Sequence, residues 1–295
     1  MNCMDWRGFS LLGKYCKPVV SLLGALFVGA YFLLAPVNLA PYLLYVGCPV
    51  SQYELPASLL SDLKPVPVAI PVCGAKQFCR GFYFRGKSRT TVLISHGQGN
   101  LIPHLGMVRA AHSAGYSCLI YDYRGFGLSD GRASTAHMLE DGVAAYDYLE
   151  KQLGLSQKEI ILMGTSLGTG VSAHVARLRP CRALLLVSPY TTLRRAVCDR
   201  LPFFSIYPDF QYSTLNFWPK PTLECLSIEQ ARVPVTLVHG GKDSIIAVSN
   251  ARELRQRLKT GGRLVIQEGV EHGGISVNLV ADELKALAPA PKFGI

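Results

Sequence analysis

The sequence predicts an α/β fold. Its core is a mostly parallel central sheet with an antiparallel leading hairpin and helices on both faces. Three observations predict it. Runs such as "TTVLISHG" (90–97), "EIILMG" (159–164) and "RALLLVSP" (182–189) are apolar almost throughout rather than alternating, the mark of strands buried on both faces. Stretches with apolar residues three and four apart follow these runs, so strand and helix alternate along the chain. The 295 residues, 49% of them hydrophobic, suffice for one large domain with a sizeable core.

The first 64 residues stand apart from that pattern. Residues 1–17 carry Arg7, Lys14 and Lys17, and no charged residue then occurs from Pro18 to Tyr53. The run Val19–Leu34 rises roughly 24 Å as a helix, slightly short of a hydrocarbon core of about 30 Å. Continuation through Pro36 and Pro41, or local bilayer thinning, closes the gap. We read 18–46 as a single-pass transmembrane signal anchor, with residues 1–17 cytoplasmic and the remainder extracytoplasmic by the positive-inside rule. A cleaved signal peptide is the rival, but a cut after Ala35 leaves Pro36 at the new terminus. Residues 47–64 read as a linker, and 65–295 as the folded domain.

Within 65–295 the elements follow in order. "VPVAIPV" (66–72) and "FCRGFYF" (78–84), separated by "CGAKQ", form the leading hairpin. The run 90–97 ends in a glycine loop and leads to a helix near Leu105–Ala114. "YSCLIYDYRG" (116–125) is the next strand. Ser134 caps a helix carrying Leu139, Val143, Tyr146 and Leu149 at three-to-four spacing. The strand 159–164 leads into a helix over Leu167–Leu178, and 182–189 is a further strand. Residues 190–232 read as irregular, with a short cap insert over 191–232. "VPVTLVHGG" (233–241) is a strand, 249–258 a helix, "RLVIQEG" (263–269) the last strand and 276–287 the closing helix.

Composition excludes some functions. Net charge is +10, but the Lys and Arg residues are scattered, without a dense basic run or zinc-ligand spacing. We therefore expect a basic solvated surface and no nucleic-acid partner. No C-x-x-C or His/Cys cluster appears among the nine cysteines, so no metal or cofactor is expected. Cys73 and Cys79 are placed to face each other across the hairpin, where an extracytoplasmic domain permits a disulfide. Cys118, inside a strand, is expected to be a buried free thiol.

Chemistry enters through Gly-x-Ser-x-Gly, which occurs twice, as "GLSDG" (127–131) and "GTSLG" (164–168). In a nucleophile elbow that pattern is a strained turn between a strand and a helix. Ser166 has this setting: "EIILM" runs straight into Gly164, and "LGTGVSAHVARL" follows as a helix. Ser129 has no strand feeding it and no helix starting on it, so it reads as a loop residue.

A serine hydroxyl needs a base, the base needs an orienting acid, and the developing oxyanion needs donors. In a parallel sheet those partners lie just past later strands, in the order serine, acid, histidine. Asp243 falls there in "VTLVHGGKD" and His272 in "LVIQEGVEHGG", and no other histidine follows Asp243. The amides of Leu167 and of Gln98, in "SHGQGN", are the expected oxyanion donors. Among the rest, His96 reads as a support for that loop and His239 as a packed strand-end residue. His174 reads as lying on a helix surface, and His104, His112 and His137 have no motif around them. Asp122 reads as a structural hydrogen-bonder, and Glu271 lacks a strand end.

The ordered pieces "LISHGQGN", "YDYRGFGLSDG", "GTSLGTG", "HGGKD" and "EHGG" resemble the α/β-hydrolase superfamily over roughly residues 65–275. The likeness is nearest to its membrane-anchored members, which include depalmitoylating thioesterases and lysophospholipases. It implies the α/β-hydrolase fold, a triad of Ser166, Asp243 and His272, and a loop role for Ser129. The segment 191–232 departs most, at the place where this superfamily inserts lids. Its Phe203, Phe204 and Tyr207 are candidate substrate-binding residues, as wall of an acyl pocket or as membrane contacts, against ordinary packing of a small cap. Arg194, Arg195 and Arg200 face either anionic headgroups or solvent.

The sequence thus predicts a membrane-associated serine hydrolase acting on an ester or thioester, with an acyl-containing substrate and membrane lipids as partners. An aminopeptidase-like peptidase and a non-catalytic binding module on the same fold are the alternatives.

Overall fold

The computed structural model describes residues 22–31, 33–35, 50, 52–53, 55–57, 62–72, 74, 76–207, 233–258 and 262–287. About half of the predicted anchor (18–46) and linker (47–64) lies outside these residues, as do Cys73 and the cap insert from 208 to 232. Residues 22–31 are helical. Among the described residues no helix is long and apolar enough to cross a membrane.

Among the described residues, eight strands make one sheet in the order β1-β2-β4-β3-β5-β6-β7-β8. They are β1 (Val66–Val72), β2 (Gln77–Phe84), β3 (Ser88–Ser95), β4 (Tyr116–Tyr121), β5 (Ile160–Thr165), β6 (Ala183–Val187), β7 (Val235–Gly240) and β8 (Arg263–Gln267). The hairpin β1–β2 is antiparallel, β2 joins β4 antiparallel, and every pairing from β4 to β8 is parallel. Cys79 pairs with Ile70 across the hairpin and is a buried free thiol, while its possible partner Cys73 lies outside the described residues. Cys118 is also buried and free.

Among the described residues, the α-helices that follow the N-terminal helical stretch are α1 (Leu105–Ser113), α2 (Thr135–Lys151), α3 (Gly168–Leu178), α4 (Leu193–Arg200), α5 (Ser249–Arg257) and α6 (Val277–Leu287). Successive side chains of a strand point to opposite faces, so each apolar run divides between two cores. On β5, Ile160 and Leu162 join Tyr146 and Leu149 of α2, Val171 of α3 and Leu254 of α5. Ile161 and Met163 join Val108 of α1 and Val280 and Leu284 of α6 on the other face. The Ser134 hydroxyl caps α2 by accepting from the amide of His137.

Helix α4 corrects the sequence reading, which left 190–232 irregular. It begins at a Thr192 cap whose hydroxyl accepts from the amide of Arg195. Three arginines and an aspartate in eight residues hide an amphipathic stripe that one helical face collects. Its polar face is tied to the body through Asn250, whose side-chain oxygen accepts from the amide and hydroxyl of Thr191 and whose amide donates to Asp199.

Candidate active site

Ser166 sits in the turn between β5 and α3 with φ of 48°, in the left-handed region that L-residues rarely adopt. The turn holds because of the two flanking glycines. A Cβ on Gly168 would stand 2.1 Å from the carbonyl oxygen of Ser95, and one on Gly164 would stand 2.6 Å from that of Gly168. The sharp turn also needs its own bonds. The Ser166 amide donates to the Val187 carbonyl at 2.8 Å, and the Thr169 hydroxyl donates to the Ser166 carbonyl at 2.6 Å.

The structure brings Ser166, His272 and Asp243 into one hydrogen-bonded chain. The Ser166 Oγ lies 2.8 Å from His272 Nε2, and His272 Nδ1 lies 2.7 Å from Asp243 Oδ2. A carboxylate accepts, so Nδ1 carries the proton and Nε2 presents its lone pair to the serine hydroxyl. The other carboxylate oxygen accepts from the amides of Ile245 and Ile246 at 3.0 and 2.8 Å. Burial pushes the Asp243 carboxyl up, but the bonds from His239, His272 and Ile246 outweigh it and hold the group well below the usual carboxylate range. The two loops that carry acid and base are stitched together. The Glu271 carboxylate accepts from the amide and hydroxyl of Ser244, and the Lys242 amide donates to the Val270 carbonyl.

The "SHGQGN" loop passes directly over the serine: a Cβ on Gly97 would lie 3.2 Å from the Cβ of Ser166. Two imidazoles orient it. His96 Nδ1 donates to the Gly97 carbonyl at 2.8 Å, and His104 Nε2 donates to the Gln98 carbonyl at 3.3 Å. In a planar trans peptide the carbonyl and the following N–H point opposite ways. Fixing the Gly97 carbonyl toward His96 therefore aims the Gln98 N–H away from that ring. Burial lowers the pKa of His96 to about 3 and lowers that of His104, so both rings act as neutral struts. Asp122, whose carboxyl is raised by burial, faces His96 Nε2 at 3.1 Å and accepts from the Leu101 amide at 2.8 Å.

Ser129 lies in a different kind of turn. Its hydroxyl donates to the Asp122 carbonyl at 2.7 Å and accepts from the Arg80 amide at 2.8 Å, tying the loop to the edge of β2. The same loop is anchored by buried Arg124, whose Nε donates to Asp141 Oδ1 at 2.6 Å.

A cleft opens beside Ser166. Gln98 and Leu167 line it next to the serine, with Tyr190, Ile245, Ile246 and one face of α4 as its walls. The predicted substrate-binding residues Phe203, Phe204 and Tyr207 are not on this lining. Phe204 and Tyr207 are buried in a separate cluster with Ala35 and Val197, while Phe203 is 47% exposed. They stand behind the wall of the cleft, and Val197 is shared by both sides. Short apolar side chains of α4 take the place expected of the aromatics.

Two histidines make contacts at the site that the sequence did not indicate. His104 has no motif around it, yet it supports Gln98 and its Nδ1 lies 3.3 Å from the Thr165 hydroxyl. His239 is fully buried, as expected of a strand-end residue, but its Nε2 also lies 3.3 Å from Asp243 Oδ2. Its i,i+4 spacing from Asp243 was the available signal. Among the described residues no group of His, Cys, Asp and Glu side chains is placed to hold a metal.

Three comparisons bear on this geometry. The family described as serine aminopeptidase, S33, matches residues 86–219. An uncharacterized protein of Mycobacterium tuberculosis is 31% identical over 196 residues, covering 65% of this chain and 67% of its own. The human alpha/beta hydrolase domain-containing protein 17C is 29% identical over 192 residues, covering 64% of this chain, and the match spans 55% of the human protein. Among solved structures, an esterase of Pyrococcus furiosus superposes with a TM-score of 0.64 at 20% identity, over 82% of this chain and 96% of its own.

Proposed function

The chain belongs to the α/β-hydrolase superfamily, and on that premise we propose that it is a serine hydrolase cleaving carboxylic esters or thioesters through an acyl-enzyme. The observation that carries this reading is the unbroken chain from Ser166 through His272 to Asp243, which follow the parallel strands β5, β8 and β7.

In the proposed reaction the Ser166 Oγ attacks the acyl carbon while its proton passes to His272 Nε2. Asp243 holds the imidazole in the required tautomer and stabilises the imidazolium that forms. The amides of Leu167 and Gln98 donate to the oxyanion. His272 then protonates the departing alkoxide or thiolate, leaving the acyl group on Ser166. A water, deprotonated by His272, attacks that ester and releases the acid. The residues of this chain supply every group in the scheme.

The apolar cleft supports an acyl substrate. An aminopeptidase-like reading requires an acidic anchor for a free amino group, and among the described lining residues none carries a carboxylate. Hydrolysis of short and long p-nitrophenyl esters, with fluorophosphonate labelling of wild type and Ser166→Ala, tests the proposal. Equal rates, or labelling that survives the substitution, would overturn it. Absence of labelling on a folded sample favours a non-catalytic binding module.

We also propose that residues 18–46 attach the protein to a membrane and that the hydrolase domain lies on the extracytoplasmic side. In support, Leu22, Leu23, Leu26, Phe27 and Val28 of the N-terminal helical stretch are all exposed. Tyr31 stacks on Tyr207 at 4.7 Å, which brings that stretch to the cap beside exposed Phe203 and Ile206. Protease accessibility of the domain in intact against permeabilised cells tests the sidedness. Protection in intact cells contradicts it.

A further inference from the structure

The wall that α4 contributes to the cleft is one helical stripe: Leu193, Ala196, Val197, Arg200 and Leu201. Their spacing of three and four puts them on a single face. Four are apolar and one is a cation. The opposite side of the helix is committed to the body. Arg195 pairs with Glu253 and donates to the Ser249 hydroxyl, and Asp199 accepts from the Asn250 side chain and the Ala247 amide. Arg194 donates to the Tyr207 carbonyl. Arg200 alone of the three arginines has no hydrogen bond or ion pair to a described residue, and it is exposed at the cleft.

The stripe has a direction relative to the serine. Tyr190, just before α4, donates from its hydroxyl to the carbonyl of Leu167, the residue after Ser166. Tyr190, three residues before Leu193, thus ties the approach to the helix to the elbow, and Arg200 follows Leu193 by seven residues. Seven residues of helix rise about 10 Å, roughly the reach of an extended chain of eight carbons.

We propose that the cleft selects acyl groups whose distal end carries an anion, a carboxylate, sulfate or phosphate, and that Arg200 is the residue that receives it. The reading rests on the hydrolase proposal and names the substrate class of that same site. The apolar segment of the acyl chain lies along Leu193, Ala196 and Val197 while its first carbon meets Ser166. The guanidinium supplies a forked pair of donors suited to an oxyanion, and it is always charged at working pH.

The test compares the p-nitrophenyl half-ester of suberic acid with p-nitrophenyl octanoate, two esters of equal chain length differing in the terminal group. The expected result is a kcat/KM ratio favouring the half-ester by about tenfold, the scale of one exposed charge-assisted hydrogen bond. In Arg200→Gln that ratio falls to near unity through KM, and in Arg200→Glu it inverts. Arg252→Gln makes the same charge change on an exposed position of α5 away from the cleft, and should leave the ratio as in the wild type. Three outcomes overturn the inference alone: esters hydrolysed without preference, a ratio that Arg252→Gln shifts as much as Arg200→Gln does, or a larger preference for the octanoate ester of hydroxybenzoate, which puts the anion on the leaving group. Failure to hydrolyse any ester overturns the hydrolase reading with it.

Discussion

The carboxylate oxygen of Asp243 that faces His272 also lies 3.3 Å from Nε2 of His239. That nitrogen donates to the Ile246 carbonyl at 2.9 Å, which fixes the ring under the acid. One strand end thus supplies both the acid and a second imidazole holding it. His239→Gln is expected to lower kcat by about tenfold with KM nearly unchanged, the cost of one orienting hydrogen bond. Steady-state kinetics on a short ester checks it, and an effect confined to KM counts against a positioning role.

Ser166 and Ser129 share a sequence pattern and differ in setting. Ser166→Ala should abolish ester hydrolysis and fluorophosphonate labelling. Ser129→Ala should keep most activity while losing about 1–2 kcal/mol of stability, because it removes bonds to the Asp122 carbonyl and the Arg80 amide. Activity assays together with denaturant titrations separate the two effects.

Asp243 also predicts an acid response. Its carboxyl is held below the unfolded value of about 3.9. A depressed carboxyl contributes stability that is fully present above the unfolded value and is lost as pH falls toward the folded one. In Asp243→Asn this contribution is absent at every pH. The gap in denaturant midpoint between wild type and variant should therefore be widest above about pH 5 and should narrow as pH is lowered toward 3. A gap that stays constant across that range refutes the assignment.

Gly168→Ala places a methyl 2.1 Å from the Ser95 carbonyl oxygen and 2.4 Å from that of His96. Both neighbours are backbone, so α3 must move away from β3. We expect a loss of about 3 kcal/mol or more, together with loss of the Ser166–His272 contact. Thermal unfolding and fluorophosphonate labelling rate measure the two consequences, and a variant with unchanged Tm contradicts the packing argument.

Much of this was legible before any coordinates. Continuous apolar strands, the Ser134 cap, and the strand–Gly–x–Ser–x–Gly–helix sequence at 159–168 are local patterns, and local patterns survive in one dimension. So does the placement of Asp243 and His272 just past their strands, because a parallel sheet delivers every strand end to the same edge.

What the sequence by itself determined is the α/β-hydrolase class, the order of its strands and of the described helices other than α4, and which serine stands in an elbow. Only the tertiary structure decided what surrounds that serine. His104 and Gln98 are near in the chain, but their bond depends on how a loop folds over Ser166. Phe204 and Tyr207 turn away into a cluster with Ala35, and α4 lines the cleft instead. Those outcomes follow from which surfaces pack against which. Packing couples residues far apart in the chain, and no periodicity within a segment encodes its partner.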